Sequence, residues 1–477
     1  MKVPRRILMG TTILAQVKDL QVHRGHLKVF QGVSAYLGCG EVVAVVGENG
    51  SGKTTLLEAF AGILPIRSGE VIWNEEGVEI TVRDADGRRN PPPPMGLTLQ
   101  RGGICGDETV SERLSVSLSV AGISPEECKI LELLEHWGLE HRSHDRVSNL
   151  SGGLRRRLSI LCGLAPAALS KNPRVALLDE PSEGLDRSAK KTLSCWIRSL
   201  CSRGHGILIA THDKEIISCA DRVLSIKDQS LFESTGESRG EELQLPTYGK
   251  ISEKGAISSL VRWSVRMEVR NPIETVGRVT PAIVAILLSY ALLEGSNLQS
   301  DDSRLLSAFI LAPAFIASVS SPAIVSRLAE SDCGDWWKAV AGPMARPALS
   351  ITAASIIFPV PLTYFSWIIL SGSFDEQVSS ETILWLWIPA IVMADVAIAA
   401  TALHLLVSDL SRSSAAPSPL LLVVLVWPFL ELTDALSTII DDGMSWGLSI
   451  HDPLVTCIVA SLISALVWLS AVLIPDN

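Results

Sequence analysis

A glycine-rich loop near residue 50 has the residue types and spacing of a phosphate-binding loop. The apolar run Glu41 to Val46 has the length of a buried strand, and a helical pattern begins at Leu56. Between them stand Gly47, Glu48, Asn49, Gly50, Ser51, Gly52, Lys53, Thr54 and Thr55. Glycines let successive backbone N–H groups turn toward a phosphate, and the helix N-terminus adds a favourable dipole. The loop therefore predicts a nucleoside triphosphate site, in which Lys53 neutralises the β- and γ-phosphates and Thr54 ligates Mg²⁺.

Two acidic residues follow a second strand-like segment, Val175 to Leu178. A carboxylate at the carboxyl end of a strand is suited to bind Mg²⁺ directly or through water, so Asp179 is the second predicted magnesium ligand. The adjacent Glu180 is placed to polarise an attacking water. A third strand-like segment, Ile207 to Ala210, leads in the same way to His212. Together these groups predict hydrolysis of a phosphoanhydride bond.

Five motifs occur in an order that resembles the ATPase domain of ABC transporters. In chain order they are the glycine-rich loop, Gln100, LSGG at residues 150–153, LLDEPSEGLD at residues 177–186 and THD at residues 211–213. The resemblance implies that Gln100 contacts Mg²⁺ and water and couples the ATPase to a membrane domain. It also implies that His212 contacts the γ-phosphate. Glu180, His212 and Gln100 are thus the expected catalytic residues, with ATP as substrate and Mg²⁺ as cofactor.

The same resemblance implies that two chains share each ATP. Ser151, Gly152 and Gly153 are expected to cap the γ-phosphate of an ATP held by the opposing subunit. Asp186 is expected to be the acid of the loop that follows the strand ending at Asp179 and Glu180. One chain then completes neither ATP site, so the expected partner is a second copy of the chain or a related half-transporter.

Two positions depart from the family pattern. The signature usually continues with Gln, and this chain has Leu154 there. The aromatic residue that usually stacks on adenine falls near His23 and Arg24, where an imidazole or a guanidinium can stack in its place. The insert RDADGRRNPPPP at residues 83–94 is expected to be a surface loop without an assigned function.

Charge and composition divide the chain into two halves. The 477 residues are 47% hydrophobic and carry a formal net charge of −10. Residues 1–250 hold 31 Lys and Arg and 31 Asp and Glu, whereas residues 251–477 hold 10 and 20. The second half also holds nine of the 12 tryptophans, a usage common in membrane proteins. The balanced first half has no basic footprint, which excludes nucleic acid as an expected partner. The nine cysteines show no metal or disulfide spacing.

The second half is predicted to cross a lipid bilayer six times. We expect an ATPase domain at residues 1–235, a polar linker at 236–259 and a permease domain at 260–477. The six predicted helices lie at about 276–294, 305–326, 349–372, 382–408, 413–431 and 453–475. The expected fold is thus an α/β P-loop NTPase domain of the ABC type followed by an all-α transmembrane domain like that of type 2 ABC exporters.

The topology follows from the ATPase and from the charges. An even number of spans places both termini on the cytosolic side with the ATPase, in a multi-pass protein of the cell membrane. Arginine and lysine agree, since predicted inner segments hold eight of them, whereas the predicted outer segments hold only Arg304. The stretch Leu260 to Val276 has Arg every four residues and suits a helix at the cytosolic interface.

Two features of the predicted permease invite functional readings. The inner loop Arg327 to Arg346 contains Trp336 and Trp337, and it is either a coupling helix that lies on the ATPase near Gln100 or an interfacial anchor. Asp395 lies within a predicted span, where an isolated charge is costly, so a functional or helix-packing role is expected. The alternative is a protonated carboxyl or one bonded to Ser or Thr.

A narrower resemblance concerns the permease. The stretch VRMEVRNP at residues 265–272, the residues SRLAE at 326–330 and the loop up to Arg346 resemble the permease of the cytochrome c maturation haem exporter. The resemblance implies haem export or release of a haem-loaded chaperone, with haem and cytochrome c maturation membrane proteins as partners. Export of lipid, drug or polysaccharide is the alternative. A machine that transmits mechanical work without translocation is the alternative from another class.

Overall fold

The computed structural model describes residues 12–252, 255–270, 272–295, 303–355, 358–371, 382–410 and 423–474. The chain divides into two compact units. The first comprises Met1–Leu260 with Arg327–Ala345, and the second comprises Val261–Ser326 with Arg346–Asp476. The first unit therefore extends past the expected ATPase boundary at residue 235 and recruits a segment from the second half of the sequence.

An antiparallel sheet begins the first unit. Across the sheet its strands are β2 (Leu27–Gly38), β1 (Ile13–Arg24), β4 (Ser68–Glu75) and β5 (Val78–Asp84). One face is solvated, so apolar residues alternate with polar ones along β1, where Val17, Leu20 and Val22 are buried.

A second, mostly parallel sheet positions the predicted site. Across the sheet its strands are β10 (Ser230–Thr235), β9 (Arg222–Lys227), β3 (Val42–Val46), β8 (Gly206–Ala210), β7 (Val175–Asp179) and β6 (Gly96–Thr98). Its strands β3, β7 and β8 are continuous apolar runs because helices cover both faces. These three strands are parallel neighbours, so their carboxyl ends meet at one edge. The glycine-rich loop, Glu180 and His212 follow those ends, which brings them together.

The helices of the first unit begin where their sequences supply caps. α1 (Lys53–Phe60) starts directly after the glycine-rich loop. α4 (Gly152–Ala168) starts after Ser151, whose hydroxyl accepts a hydrogen bond from the Leu154 N–H at 3.4 Å. α5 (Arg187–Ser202) starts after Asp186, whose carboxylate accepts one from the Ala189 N–H at 3.2 Å. The others are α2 (Val110–Val120), α3 (Glu127–His136) and α6 (Lys214–Ile217).

The expected linker is in part a strap packed on the first unit. Leu245 is 4% exposed, and the Gly249 N–H donates to the Leu169 carbonyl at 2.9 Å. Arg203 donates to the carbonyls of Leu245 and Pro246 at 3.0 and 3.1 Å. The polar composition of residues 236–259 indicated a linker, but Leu245 is buried and part of the backbone is hydrogen-bonded to the first unit, whereas Tyr248 and Ile251 are exposed.

The segment Arg327–Ala345, here called the docking segment, belongs to the first unit. It contains the end of the helix Ala323–Ala329, a single turn at Glu330–Asp332 and the helix Cys333–Ala341. Ser331 and Asp332 have φ values of 46° and 60°, so the chain turns sharply between the two helices.

The second unit is helical. Its helices after Ala256–Arg270 are Pro272–Gly295, Ser303–Val319, Ala345–Ser355, Pro359–Leu370, Trp387–Leu410, Val426–Asp442 and Pro453–Leu473. In the described part of the chain, five helical stretches are long and apolar enough to cross a membrane, and Pro359–Leu370 is a shorter apolar helix. The five are Val276–Leu293, Ser303–Ala353, Thr382–Ser408, Val423–Asp442 and Pro453–Leu473.

Two expected spans have different bounds in the structure. In the span expected at 349–372 the structure describes two helices, Ala345–Ser355 and Pro359–Leu370, with residues 356–357 outside the described part. The second begins at Pro359, because proline lacks an N–H and favours the first position of a helix. Most of the span expected at 413–431 lies outside the described residues, and the helix observed there, Val426–Asp442, continues beyond it. Two of its carboxylates have polar partners, since Asp434 pairs with Arg304 and Asp441 accepts from Ser303.

Candidate functional site

A cleft of about 460 Å³ in the first unit brings nine of the predicted site residues together. Its lining residues are Arg24, Leu27, Val29, Asn49, Gly50, Gly52, Lys53, Thr54, Thr55, Gln100, Glu180, Glu183 and His212. The glycine-rich loop, the Gln100 segment and the ends of β7 and β8 thus surround one space. Gly47, Glu48 and Ser51 belong to the same loop but do not line the cleft.

The loop holds its lysine in place through its own backbone. Lys53 is 8% exposed, and its ammonium donates to the carbonyls of Gly47 at 3.0 Å and Glu48 at 3.3 Å. Gly52 has a φ of 109°, and a Cβ there would lie 2.6 Å from the Val29 side chain. Only glycine fits this position, where the chain turns into α1. The turn leaves a fixed positive charge beside the backbone N–H groups at the start of α1.

Asp179 presents an acceptor suited to a metal ion. Asp179 is fully buried, and neither of its carboxylate oxygens has a hydrogen-bond partner among the described residues. Burial raises the pKa of this carboxyl to about 6, against the opposing effects of the Thr54 hydroxyl, Arg156 and Lys53. A buried carboxylate beside a hydroxyl is the oxygen ligand set that Mg²⁺ prefers. The residues present therefore fit the magnesium ion predicted for Thr54, Asp179 and Gln100.

Glu180 is buried at the edge of the cleft with one partner on each side. Its Oε2 lies 2.9 Å from the Nδ1 of His212, and its Oε1 lies 3.8 Å from the Lys53 ammonium. The His212 side chain is 70% exposed, so it faces the open side of the cleft. Glu180 also has a φ of 44°, a left-handed conformation that is rare outside glycine and is concentrated at functional sites. His212 and Lys53 thus fix the position of the Glu180 carboxylate beside the open space of the cleft.

The signature residues do not contribute to this cleft. Ser151, Gly152 and Gly153 are absent from its lining, and a Cβ at Gly152 would meet no atom within 4 Å. Ser151 and Gly152 are exposed at the start of α4. Asp186 likewise lies outside the cleft, where it caps α5 and pairs with Arg157 at 2.8 Å. The Arg157 hydrogen bond lowers the pKa of the Asp186 carboxyl. The open motif is free to contact a molecule outside this chain.

The docking segment lies against the residues that follow Gln100. The Gly103 N–H donates to the Ser331 carbonyl at 2.8 Å, and the Gly106 N–H donates to the Glu330 carboxylate at 2.9 Å. Arg327 pairs with Asp107 at 2.6 Å, with both side chains largely buried. These bonds place the docking segment directly on the chain that leaves the cleft.

Trp336 anchors the docking segment from within. It is 3% exposed, and the guanidinium of Arg113 lies 3.9 Å from the centre of its ring. Arg113 pairs in turn with Glu108 at 3.8 Å, and both side chains are 1% exposed. Trp337 is fully buried. Both tryptophans are therefore part of the first unit's interior, which favours the coupling interpretation over interfacial anchoring.

The insert at residues 83–94 is part of the same contact. Arg89 donates to the Lys338 carbonyl at 3.0 Å. Gly342 has a φ of 64°, and a Cβ on it would lie 2.9 Å from the Cα of Pro91. The sequence indicated only a surface loop here, because nothing local to the insert marks a partner so distant in the chain.

Of the two residues expected near adenine, Arg24 lines the cleft and pairs with Glu58, whereas His23 bonds to Gln21. Other residues of the site were not found from the sequence. Leu27, Val29 and Glu183 line the cleft without any motif that marks them. Arg156 contacts four carbonyls around the site, which only the folded chain brings within its reach.

In the second unit, Asp395 has a hydrogen-bond partner on another helix. The Ser461 hydroxyl donates to its carboxylate at 2.6 Å, which joins the helices Trp387–Leu410 and Pro453–Leu473. This is the Ser-bonded, helix-packing arrangement that the sequence left open. Glu268 and Arg278 form a buried pair at 2.5 Å, and Glu268 also accepts from the Ile324 N–H at 3.1 Å. These polar contacts hold helices together in an apolar setting.

Comparisons with known proteins agree with the motifs. A family profile described as "ABC transporter" matches residues 30–183. The chain is 30% identical over 236 residues to the macrolide export ATP-binding/permease protein MacB of Azoarcus sp. (strain BH72), an alignment that spans 49% of this chain and only 35% of that protein. A solved structure described as "Structure of ATP binding subunit of ABC transporter" is 25% identical, with a TM-score of 0.40, over 46% of this chain and 90% of that one.

The first half of the chain also matches a complete ATP-binding subunit. It is 30% identical over 227 residues to the lipoprotein-releasing system ATP-binding protein LolD of Porphyromonas gingivalis (strain ATCC BAA-308 / W83). That alignment spans 46% of this chain and 99% of the relative. The cleft, its motifs and this full-length match lead to one assignment. The chain belongs to the ABC transporter family.

Proposed function

We propose that this protein is an ATP-driven half-transporter, in which hydrolysis in the cleft of the first unit drives a membrane-spanning second unit. The observation that carries the proposal is the arrangement of Lys53, Glu180 and His212 in one cleft, with the docking segment bonded to the chain just beyond Gln100. The family membership and the apolar helices of the second unit support the same conclusion.

The chemistry assigned to the cleft follows from its charges. Lys53 and the N–H groups at the start of α1 are suited to hold the β- and γ-phosphates. Mg²⁺ bound by Thr54, Asp179 and Gln100 would neutralise phosphate charge. Glu180 lies where its carboxylate can accept a proton from a water directed at the γ-phosphate. His212, bonded to the other side of that carboxylate, fixes its orientation and can contact the γ-phosphate.

A second copy or a related half-transporter completes the site. Ser151, Gly152 and Gly153 lie outside the cleft of their own chain, and the first two are exposed. A helix N-terminus with free N–H groups attracts phosphate, and here it has no phosphate site within its own chain's cleft. In the proposed dimer, each signature motif closes over the ATP of the opposing chain. Closure, hydrolysis and reopening then form the working cycle.

The second unit is proposed as the permease in the cell membrane. Five stretches are long enough to cross a membrane, and together with the shorter apolar helix Pro359–Leu370 they support the proposed six spans. The excess of arginine in the inner segments supports cytosolic termini. The docking segment connects two of these helices in sequence and packs on the first unit, so it is the element proposed to transmit closure of the dimer.

The substrate is proposed only by class. Resemblance of residues 265–346 to the haem exporter permease of cytochrome c maturation supports haem export or release of a haem-loaded chaperone. The similar proteins MacB and LolD have names that refer to macrolides and lipoproteins, and they match the ATPase half. Export of an amphiphilic molecule such as a lipid or drug is therefore the second candidate.

The decisive experiment is ATP hydrolysis by the full-length protein in lipid nanodiscs. Glu180→Gln should reduce the turnover number by at least about 10³-fold while ATP binding persists, because it removes the proton acceptor and keeps the size of the side chain. Glu127→Gln, an exposed carboxylate on α3, is the matched control and should leave turnover unchanged. Turnover by the Glu180→Gln variant at the wild-type rate would contradict the assignment. Loss of covalent c-type haem in membranes that lack the protein would select haem handling among the substrates.

A further inference from the structure

We propose that Arg156 is a positioning residue that sets the backbone of Gln100 and of Glu180 relative to each other and to the signature helix. The inference rests on the proposed ATPase function and assigns a role to a residue outside the recognised motifs. Arg156 does not line the cleft, so its effect on the reaction is exerted through the groups it holds.

The guanidinium of Arg156 donates to four backbone carbonyls. Its Nη1 lies 3.1 Å from the Leu99 oxygen and 3.0 Å from the Gln100 oxygen. Its Nη2 lies 2.7 Å from the Asp179 oxygen and 2.6 Å from the Glu180 oxygen. The planar fork of arginine presents donors in fixed directions, so one side chain joins two segments that are far apart in sequence.

The segments that Arg156 joins carry the predicted catalytic groups. Gln100 follows β6 and Glu180 follows β7, which are parallel neighbours in the sheet. Pairing of these two strands ends at Thr98 and Leu178, so strand pairing no longer fixes Leu99 and Gln100 relative to Asp179 and Glu180. Arg156 begins to bond the two chains at this point. It continues the register of the sheet into the loops that line the cleft.

Glu180 depends most on this contact. Its φ of 44° is strained for a residue with a side chain, and such a conformation persists only where the surroundings hold it. The Glu180 N–H donates to the Ala210 carbonyl at 2.8 Å, and the Glu180 carbonyl accepts from Arg156. The peptide groups on both sides of the strained residue are therefore tied, and the direction of the carboxylate follows from them.

Arg156 also joins the site to the signature motif. It lies in the first turns of α4, which begins directly after Ser151. When a second chain's nucleotide binds at the start of α4, a displacement of that helix is passed by Arg156 to the backbone of Gln100 and Glu180. This geometry makes the catalytic carboxylate of one cleft responsive to occupancy of the other. Burial lowers the pKa of the Arg156 guanidinium, and the nearby carboxylates of Asp179, Glu183 and Glu180 oppose that effect.

The test compares two arginines that make the same kind of contact. Arg156→Met removes the bridge and retains the apolar stem of the side chain. Arg203→Met is the control, since Arg203 donates to the carbonyls of Ala168, Leu245 and Pro246 at 3.0 to 3.1 Å, outside the cleft. Turnover number, KM for ATP and thermal unfolding are measured on the full-length protein in nanodiscs. Arg156→Lys is a third variant that keeps the charge without the fork.

We expect Arg156→Met to lower the turnover number by about 10²-fold with the KM for ATP within about threefold of wild type, because a displacement near 1 Å has an effect of this size. Arg203→Met should lower the unfolding temperature but keep turnover within about twofold below that temperature. Arg156→Lys should remain at least about tenfold slow, since one ammonium cannot span four carbonyls.

Three outcomes would overturn the inference. They are an Arg156→Met turnover within about twofold of wild type, a loss of ATP affinity in parallel with turnover, and full activity of Arg156→Lys. Wild-type protein without ATPase activity would refute the proposed function, and with it this inference. Wild-type activity together with an unaffected Arg156→Met variant would refute the inference alone.

Discussion

The buried group Glu108, Arg113 and Trp336 is the contact on which docking of the segment should depend most. Arg113→Met removes the charge that links the first unit's α2 to the Trp336 ring, and it leaves the Glu108 carboxylate buried without that cation. Removing one member of a buried pair costs about 3–5 kcal/mol, and a desolvated cation–π contact contributes about 2 kcal/mol. The two overlap, and methionine refills part of the volume, so we expect a loss of about 4 kcal/mol.

The second substitution separates charge from packing. Glu108→Gln in the Arg113→Met background removes the carboxylate that lost its cation, so it should recover more than half of the lost stability. Replacing both members of a buried pair by neutral groups is usually far less costly than replacing one. Arg142→Met is the control for loss of an exposed ion pair. Arg142 and Asp145 lie 2.9 Å apart with side chains 48% and 38% exposed, so their pair should contribute less than about 1 kcal/mol to stability.

The assay is thermal unfolding of the full-length protein in nanodiscs, followed by tryptophan fluorescence. A loss of about 1 kcal/mol lowers the unfolding temperature of a domain of roughly 150–250 residues by about 2–4 °C, so Arg113→Met should lower it by roughly 8–16 °C. A decrease below about 3 °C would refute the reasoning about burial. Equal unfolding temperatures for Arg113→Met and the double variant would refute the assignment of the loss to Glu108.

Two further predictions concern packing and pH. Gly96→Ala should cost about 3 kcal/mol or more, because its Cβ would lie 1.7 Å from the Gly163 carbonyl oxygen, whereas Gly255→Ala, with no atom within 4 Å, should be neutral in the same thermal measurement. Burial lowers the pKa of His205 from 6.5 to about 4, so the folded state favours the neutral imidazole. The unfolded state then binds more protons below about pH 6.5, and stability should fall by about 2 kcal/mol from about pH 7.5 to about pH 5. His205→Gln should flatten this slope, and an unchanged slope would contradict the assignment.

The motifs of the cleft could be predicted from the sequence because their geometry is local. Each lies at the carboxyl end of a short apolar strand, and parallel neighbours place those ends at one edge of a sheet. Lys53, Glu180 and His212 were expected in one ATP site from these motifs and from the family resemblance, and the structure brings them together. Thr54 and Asp179 could be predicted in the same way, because each belongs to a motif at the carboxyl end of an apolar strand.

The contacts around the cleft could not be predicted, because they join residues far apart in sequence. Arg113 and Trp336 show no periodicity or spacing that relates them, and Arg156 is one of three consecutive arginines with different partners. The packed part of residues 236–259 could not be predicted, because composition averages over the whole stretch while burial depends on a few residues, such as Leu245. In the second unit, charge-free runs locate apolar segments, but Pro359 decides where a helix begins.

The strength of the docking contact lies in its buried members. Arg101 and Asp332 form an ion pair next to Gln100, with 3.8 Å between the guanidinium nitrogen and the carboxylate oxygen. The Arg101 side chain is 77% exposed, and such exposed pairs contribute between nothing and about 1 kcal/mol to stability. Arg327 and Asp107 form an ion pair at 2.6 Å, and their side chains are only 11% and 14% exposed. Solvent therefore screens this pair far less than the exposed one. Within the first unit, the docking segment is therefore held mainly by its contacts with Asp107 and Arg113 and by the backbone bond at Gly103. That bond lies close to Gln100, whose carbonyl Arg156 ties to Glu180. Direct contacts thus connect the docking segment with Glu180, and we expect the exposed pair beside them to contribute little to this connection.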